Sequence, residues 1–550
     1  MRGTKKVLSS ISKKVVAYTC ALSMLCGAFY FADNVEAAKK PKLSKKTLSI
    51  EVGKTKKITV KNSAKKAKVT WKSTKKSVAK IGKKASGKKA YATIKAVKEG
   101  KATIKATYKL GKKKTTLTCK VTVTPKNDVT PTVAPTAAPT AVPTVAPTAA
   151  PTAAPTATST PGPDVWVATW GTAEEKNDIS ADSAMPKVPL ADSTVRQIIR
   201  VTTSGTKMKI KLSNQYGKSD VEVKSLHVAK QDAETDFATS AIVTDTDTVV
   251  TVDGFEDFTI PAGKVIETDP FDFNVTALDN IAITAYFTEA PTNNITGHRG
   301  ARATTYQVEG NQVSEAKFDN PYTTTSWFFL ADVSLLQPAG SKAVVCFGDS
   351  ITDGYGTDAS YLGKKPDSYT RWGDYFAKRL QANEATKNVS VINEGIGSNS
   401  MMGSYPTDSG KDRFERDLLE HDGVGYCIVL FGVNDLNKLP NTNMFDTLKP
   451  EYEKMVKLAH ENGIKIYAAP ILPFGTSDYY SEGSEGVRTM INAWMRSDES
   501  GFDGIIDFES ALADPANPKN ILEKYTHADG LHPYDGYDVM AEAIDLKMFE

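Results

Sequence analysis

Cysteine is scarce in this 550-residue chain: there are five, and Cys20 and Cys26 fall within the first 38 residues. The remaining Cys119, Cys346 and Cys427 are too few and too scattered for a disulfide framework, and no C-x-x-C spacing offers a structural zinc site. Cys346 and Cys427 stand in apolar runs, where cysteine acts as a small hydrophobe. Long apolar runs are equally rare. One extends from about Val15 to Phe31, broken by Ser23 and Gly27, and none of that length follows, so no integral membrane segment is expected in the mature protein. Acid is nearly missing from residues 39–126, which hold 30 lysines against Glu51 and Glu99, a net charge of +28. Residues 1–38 carry +3 and residues 127–550 carry −26, so the overall +5 conceals two opposed fields. Histidine is limited to six positions, which leaves few candidates for a general base.

What is present divides the chain into five segments. Lys5, Lys6, Lys13 and Lys14 precede the apolar run, and Val35-Glu36-Ala37 offers small residues to a signal peptidase, so residues 1–38 read as a signal peptide and the protein as secreted; a retained anchor is the alternative. Residues 39–126 contain short alternating strands such as "KVTWKS" and "YATIKA" between Gly, Ser and Lys turns, the pattern of a small β-sandwich. The placing of Gly53, Trp71 and Glu99-Gly100 resembles the bacterial immunoglobulin-like domains of surface proteins. Its charge is open to two readings: a solvated face that keeps a spacer soluble, or adhesion to an anionic cell-wall polymer. Nucleic acid is not expected, because export separates the protein from most of it and only Trp71, Tyr91 and Tyr108 could stack on bases.

Residues 127–163 are a Thr-Pro-Ala repeat that lacks backbone donors and cannot pack a core, hence an extended tether. Residues 164–338 return to alternating strands, "STVRQIIRVTTSG" and "KMKIKLSNQYG" among them, and predict a second, larger sandwich of jelly-roll type. Trp166, Trp170 and Trp327 are assigned to its core in preference to a sugar-stacking surface. Residues 339–550 alternate short continuous apolar strands ("AVVCFG", "VSVIN", "YCIVLFG", "KIYAAP", "GIIDF") with amphipathic helices, and the chain closes on a helical "DGYDVMAEAIDLKMF". This is the sign of a parallel α/β sheet covered on both faces, of flavodoxin-like order, with reactive groups at the strand carboxyl ends.

The first of those strands runs into "GDSITDG", which puts Ser350 on a glycine-permitted turn. A hydroxyl there needs a base. His532, in "HADGLHPYDGY", has Asp529 three residues before it, so one loop can present an imidazole and the carboxylate that fixes its tautomer. Two alternatives stand beside this: Asp529 as a turn cap only, and a metal set of His527, Asp529 and His532 that lacks further ligands nearby. His227 and His460 read as structural. "VLFGVNDLN" places Asn434 at the third strand end, where its amide can donate to an oxyanion, and "VINEGIGSNS" supplies a further N–H from the second.

Taken in order, "FGDSITDG", "NEGIGSNS", "GVNDLN" and "DGLHP" resemble the four blocks of the SGNH or GDSL hydrolases. "RW" at Arg371-Trp372, "RFERDLL", "RTMINAWMR" and the upstream "VATWGTA" and "VRQIIRV" resemble a subgroup of arylesterases and acylhydrolases encoded among xylan-degrading enzymes. The resemblance implies Ser350 as nucleophile, His532 as base, Asp529 as its orienter, and an oxyanion hole from Ser350, Ser398 and Asn434, with no metal and no cofactor. Ser398 departs from the family's usual glycine, and Ser400 from a frequent arginine. The implied activity is a serine esterase acting on acylated polysaccharide such as xylan. An esterase on lipid or bacterial-wall acyl esters, or a non-enzymatic surface adhesin, are the rivals.

Overall fold

The structure, a computed structural model, describes residues 40–88, 90–111, 113–124, 162–177, 188–233, 238–527 and 529–550. The signal peptide read at 1–38, and the tether read at 127–163 apart from its last two residues, lie outside them. The chain forms two compact units, Met1–Thr152 and Ala153–Glu550.

In the first unit, strict alternation decides which side chains face inward. Strand Lys68–Ser73 buries Val69, Trp71 and Ser73 and exposes Lys68, Thr70 and Lys72. Two four-stranded sheets close on Ile50, Ile58, Ile94, Ile104 and Val121. On one outer face lysine stands directly opposite lysine: Lys68 faces Lys109, Lys109 faces Lys114, and Lys72 faces Lys105. Like charges so paired weaken a sheet.

The second unit contains a sandwich and a parallel sheet. The sandwich packs antiparallel sheets of seven and five strands around Val195, Ile199, Leu226, Ile283, Phe287 and Val333. Trp170 and Trp327 meet edge to face at 4.9 Å in that core, as the sequence pattern suggests, and Trp327 Nε1 donates to Ile198 O at 3.1 Å. Trp166 is only half-buried, with Lys209 Nζ 5.0 Å from its ring centre. A small sheet of Glu175–Asn177, Ile295–His298 and Trp327–Phe328 carries His298.

In the parallel sheet the spatial order is Val389–Gly395, Lys342–Gly348, Val424–Leu430, Lys465–Ala468, Gly504–Ile505. Numbered along the chain this is 2-1-3-4-5, the doubly wound order whose crevice lies beside the first strand. Two segments are shorter than their apolar pattern predicts. The strand in "GIIDF" stops at Ile505, because Asp507 turns to cap the helix Phe508–Leu512. The closing helix stops at Glu542, and Asp545, whose side chain accepts from Lys547 N, starts a separate turn over Leu546–Phe549.

The open edge of this sheet, strand Val389–Gly395, is covered by the sandwich. Thr202 Oγ1 accepts from Val391 N at 3.0 Å, Ser390 Oγ donates to Ala168 O at 2.5 Å, and Val167 and Ala168 enter the core of the parallel sheet. Unpaired edge groups are thereby satisfied. His421 fastens the same border: its Nδ1 lies 2.7 Å from Asp332 of the sandwich and its Nε2 2.9 Å from Glu394 of the edge strand. With a carboxylate on each ring nitrogen, the imidazolium is favoured: burial pulls its pKa down, but Glu394 and Asp332 outweigh it and raise the value.

His421→Ala leaves two buried carboxylates without their cation and should cost about 3–5 kcal/mol of stability. Because the folded-state pKa is raised, this stabilisation is complete below about pH 6.5 and is lost as pH climbs through the raised value. Melting temperatures across neutral to alkaline pH should therefore fall for the parent chain, and the variant should lack that slope.

Candidate active site

Strand Lys342–Gly348 must deliver Ser350, the expected nucleophile, into a tight turn. A Cβ on Gly348 would press on the Thr352 side chain and lie 2.8 Å from Leu430 O, so only glycine fits. Asp349 then caps the four-residue helix Ser350–Asp353, its Oδ1 accepting from Ile351 N at 3.0 Å. Burial, with a lesser push from Asp435, raises the Asp349 carboxyl to about 7. Ser350 Oγ sits 2.8 Å from His532 Nε2. On the other side of the ring, His532 Nδ1 is 2.7 Å from Asp529 Oδ2, which also accepts from the Tyr534 hydroxyl at 2.5 Å. Asp529 Oδ1 accepts from Leu531 N and His532 N at 3.0 and 3.1 Å. The carboxylate thus caps its turn with one oxygen and holds the imidazole with the other. Burial would raise its pKa, but the bonds from His532, Tyr534 and Leu531 outweigh that and hold it well below the usual carboxylate range.

The second strand brings the opposite wall. A Cβ on Gly395 would lie 2.8 Å from Asp353 Cα, so the end of the strand can come this close to the Ser350 helix only as glycine. Ser398 has φ 64°, in the left-handed region, which explains why a glycine is favoured at this position and why a serine carries strain of about 1–2 kcal/mol. Among the described residues, neither the Ser350 nor the Ser398 N–H donates to any acceptor. Asn434 Nδ2 donates to Asn399 O at 2.8 Å and its Oδ1 accepts from the Tyr479 hydroxyl at 3.3 Å, which fixes the amide and leaves its second N–H. Asp435 accepts from Met401 N and Met402 N at 2.7 and 3.0 Å, binding the third loop to the second.

Three supporting groups stand outside the four motif blocks. Arg413 has no exposure to solvent. It donates to Gly348 O at 2.8 Å, Glu394 O at 3.0 Å and Asn399 Oδ1 at 2.9 Å, pairs with Asp417, and lies 4.2 Å from the Phe347 ring centre. Its sequence signals are its place at the head of "RFERDLL" and the i, i+4 pairing with Asp417 on the inner face of helix Gly410–Leu419. From the sandwich, His298 Nε2 and Arg302 Nη2 reach Asp353, three residues after Ser350, at 3.1 and 2.6 Å. Burial opposes ionisation of Asp353, but Arg302 and His298 outweigh it and hold the carboxyl down at about 2.

The other histidines are engaged elsewhere. His227 pairs with Asp247 and His460 with Asp503. His527 Nε2 bonds Asp535 at 2.8 Å, while Asp529 and His532 bond each other; among the described residues no group of three His, Cys, Asp or Glu could hold a metal ion.

Residues 346–537 match the family model of the GDSL-like lipase/acylhydrolase family, and residues 37–119 that of the bacterial Ig-like domain (group 2). No curated protein matches the sequence. Similar solved structures include Est24, a carbohydrate acetylesterase from Sinorhizobium meliloti (18% identity, 38% of this chain and 98% of that one, TM-score 0.29). The aryl esterase of M. smegmatis (18% identity, 38% and 100%, TM-score 0.29) and the lipase/acylhydrolase from Enterococcus faecalis (22%, 37% and 92%, TM-score 0.28) are others. The chain therefore carries a GDSL-like lipase/acylhydrolase domain, a carboxylic ester hydrolase, following a bacterial Ig-like domain in sequence.

Proposed function

We propose that this protein is a secreted serine esterase that removes short acyl groups, acetyl foremost, from plant polysaccharide such as xylan. The observation that carries the reading is the unbroken Ser350–His532–Asp529 relay, at 2.8 and 2.7 Å, beside N–H groups without an acceptor. Ser350 Oγ attacks the ester carbonyl and gives its proton to His532 Nε2, while Asp529 stabilises the imidazolium. The oxyanion is met by the Ser350 and Ser398 N–H groups and by Asn434 Nδ2. His532 returns the proton to the departing sugar oxygen, and water, activated by the same imidazole, releases the acyl group from Ser350. The subgroup resemblance directs the choice of polysaccharide. The lysine-on-lysine face of the Ig-like unit supports a cell-wall anchor: a sheet that bears this repulsion gains most where an anionic polymer neutralises it.

Ser350→Ala and His532→Ala should each lower turnover of a small acetyl ester by about 10⁴-fold, and Asn434→Ala by about 10² to 10³. Acetate release from acetylated xylan should vanish with Ser350→Ala; near-parent activity there would overturn the mechanism. Ser398→Gly should keep activity within about twofold, since the N–H survives and left-handed strain is relieved. Ser398→Pro, which removes that N–H and cannot adopt φ 64°, should abolish it. For the basic unit, deletion of 39–126 should release the protein from isolated cell walls. Parent binding should collapse by 1 M salt, where the screening length is about 3 Å.

A further inference from the structure

Among the described residues, three aromatic side chains are exposed: Tyr355 at 41%, Tyr361 at 69% and Tyr405 at 69%. All three stand on the loops that leave the catalytic strand ends. Tyr355 and Tyr361 follow the Ser350 helix, and Tyr405 follows Ser398. The Tyr355 ring lies 4.5 Å from the His532 ring and 6.2 Å from Tyr534, and the Tyr361 hydroxyl interacts with those of Tyr355 and Tyr534. The sandwich contributes to the same rim. Arg302 sits 5.7 Å from the Tyr355 ring centre, and Arg299, anchored on Glu175 at 2.9 Å, is in electrostatic range of Tyr405. From Tyr534 an open cleft of about 450 Å³ continues past Tyr375, Lys365 and Thr370.

An exposed ring with a hydroxyl at its edge suits a ligand that is apolar on one face and polar around its rim. A pyranose is such a ligand. A lipid chain is not, and the exposed large hydrophobic residues on these two loops are tyrosines only, with no aliphatic side chain among them. We propose that Tyr361 and Tyr405, with Tyr355 between them and the triad, form a stacking platform for the sugar rings of a polysaccharide on either side of the acyl-bearing residue. The platform rests on the polysaccharide-esterase reading and adds to it where the polymer is held.

The test uses the full chain at 0.5 M salt, with p-nitrophenyl acetate and acetylated xylan as paired substrates. Tyr361→Ala and Tyr405→Ala should each lower the ratio of kcat/KM on xylan to kcat/KM on the small ester by about tenfold, through KM on the polymer. Tyr361→Trp should preserve that ratio. An unchanged ratio in both alanine variants, with the parent active on xylan, overturns the platform and leaves the esterase reading standing. A parent chain that cleaves the small ester and releases nothing from acetylated polysaccharides overturns the polysaccharide reading and the platform with it.

Discussion

A guanidinium shut away from water must find acceptors for its N–H bonds within the protein, and Arg413 finds them at the ends of the first two strands and in the loop after the second. Its bonds reach the end of the first strand at Gly348, the second at Glu394 and the second loop at Asn399, with Asp417 balancing the charge. Asn399 in turn accepts from Asn434, so the amide of the third loop is registered against the same cation. Removing the arginine would take a donor from each of Gly348 O, Glu394 O and Asn399 Oδ1 in a dry interior and leave Asp417 with Arg416 as its remaining cation. The placement of Ser350, Ser398 and Asn434 relative to one another depends on this single buried charge.

A second constraint comes from outside the hydrolase fold. A parallel sheet needs both faces and both edges covered, and the strand that leads to Ser398 lies at an edge. The sandwich closes it with Thr202, Ser390 and Ala168 contacts and with the His421 bridge. The same module sends His298 and Arg302 to Asp353. A β and an α/β segment that look separate along the chain thus meet at one border, where Val167 and Ala168 enter the core of the parallel sheet, and share one charge network beside the Ser350 helix.

That Ser350, His532 and Asp529 would meet was legible because each carries a local signature: Ser350 ends an apolar strand between glycines, and Asp529 and His532 share one short loop. The parallel sheet followed from the alternation of buried strands and amphipathic helices, and its order 2-1-3-4-5 is the flavodoxin-like one expected. The lengths of the last elements were not legible. Asp507 and Asp545 cap new turns inside runs whose apolar pattern continues, and a capping bond overrides periodicity. Nor was the cost at Ser398 visible, since its left-handed backbone is set by the approach of the second loop to the Ser350 helix.

By itself the sequence determined the strand and helix pattern, the Ser350 turn, the Asp529–His532 loop and the division of charge between a basic first unit and an acidic remainder. These are properties of neighbouring residues, fixed by side-chain period, glycine spacing and composition. Tertiary structure alone decided that Arg413 would tie the end of the first strand to the second strand and its loop, and that Asp353 would be held by His298 and Arg302 from about 50 residues upstream. It also gathered the exposed tyrosines around one site. Each of these requires desolvated charges or side chains from distant strands to meet, and no local pattern records which partner the fold will bring.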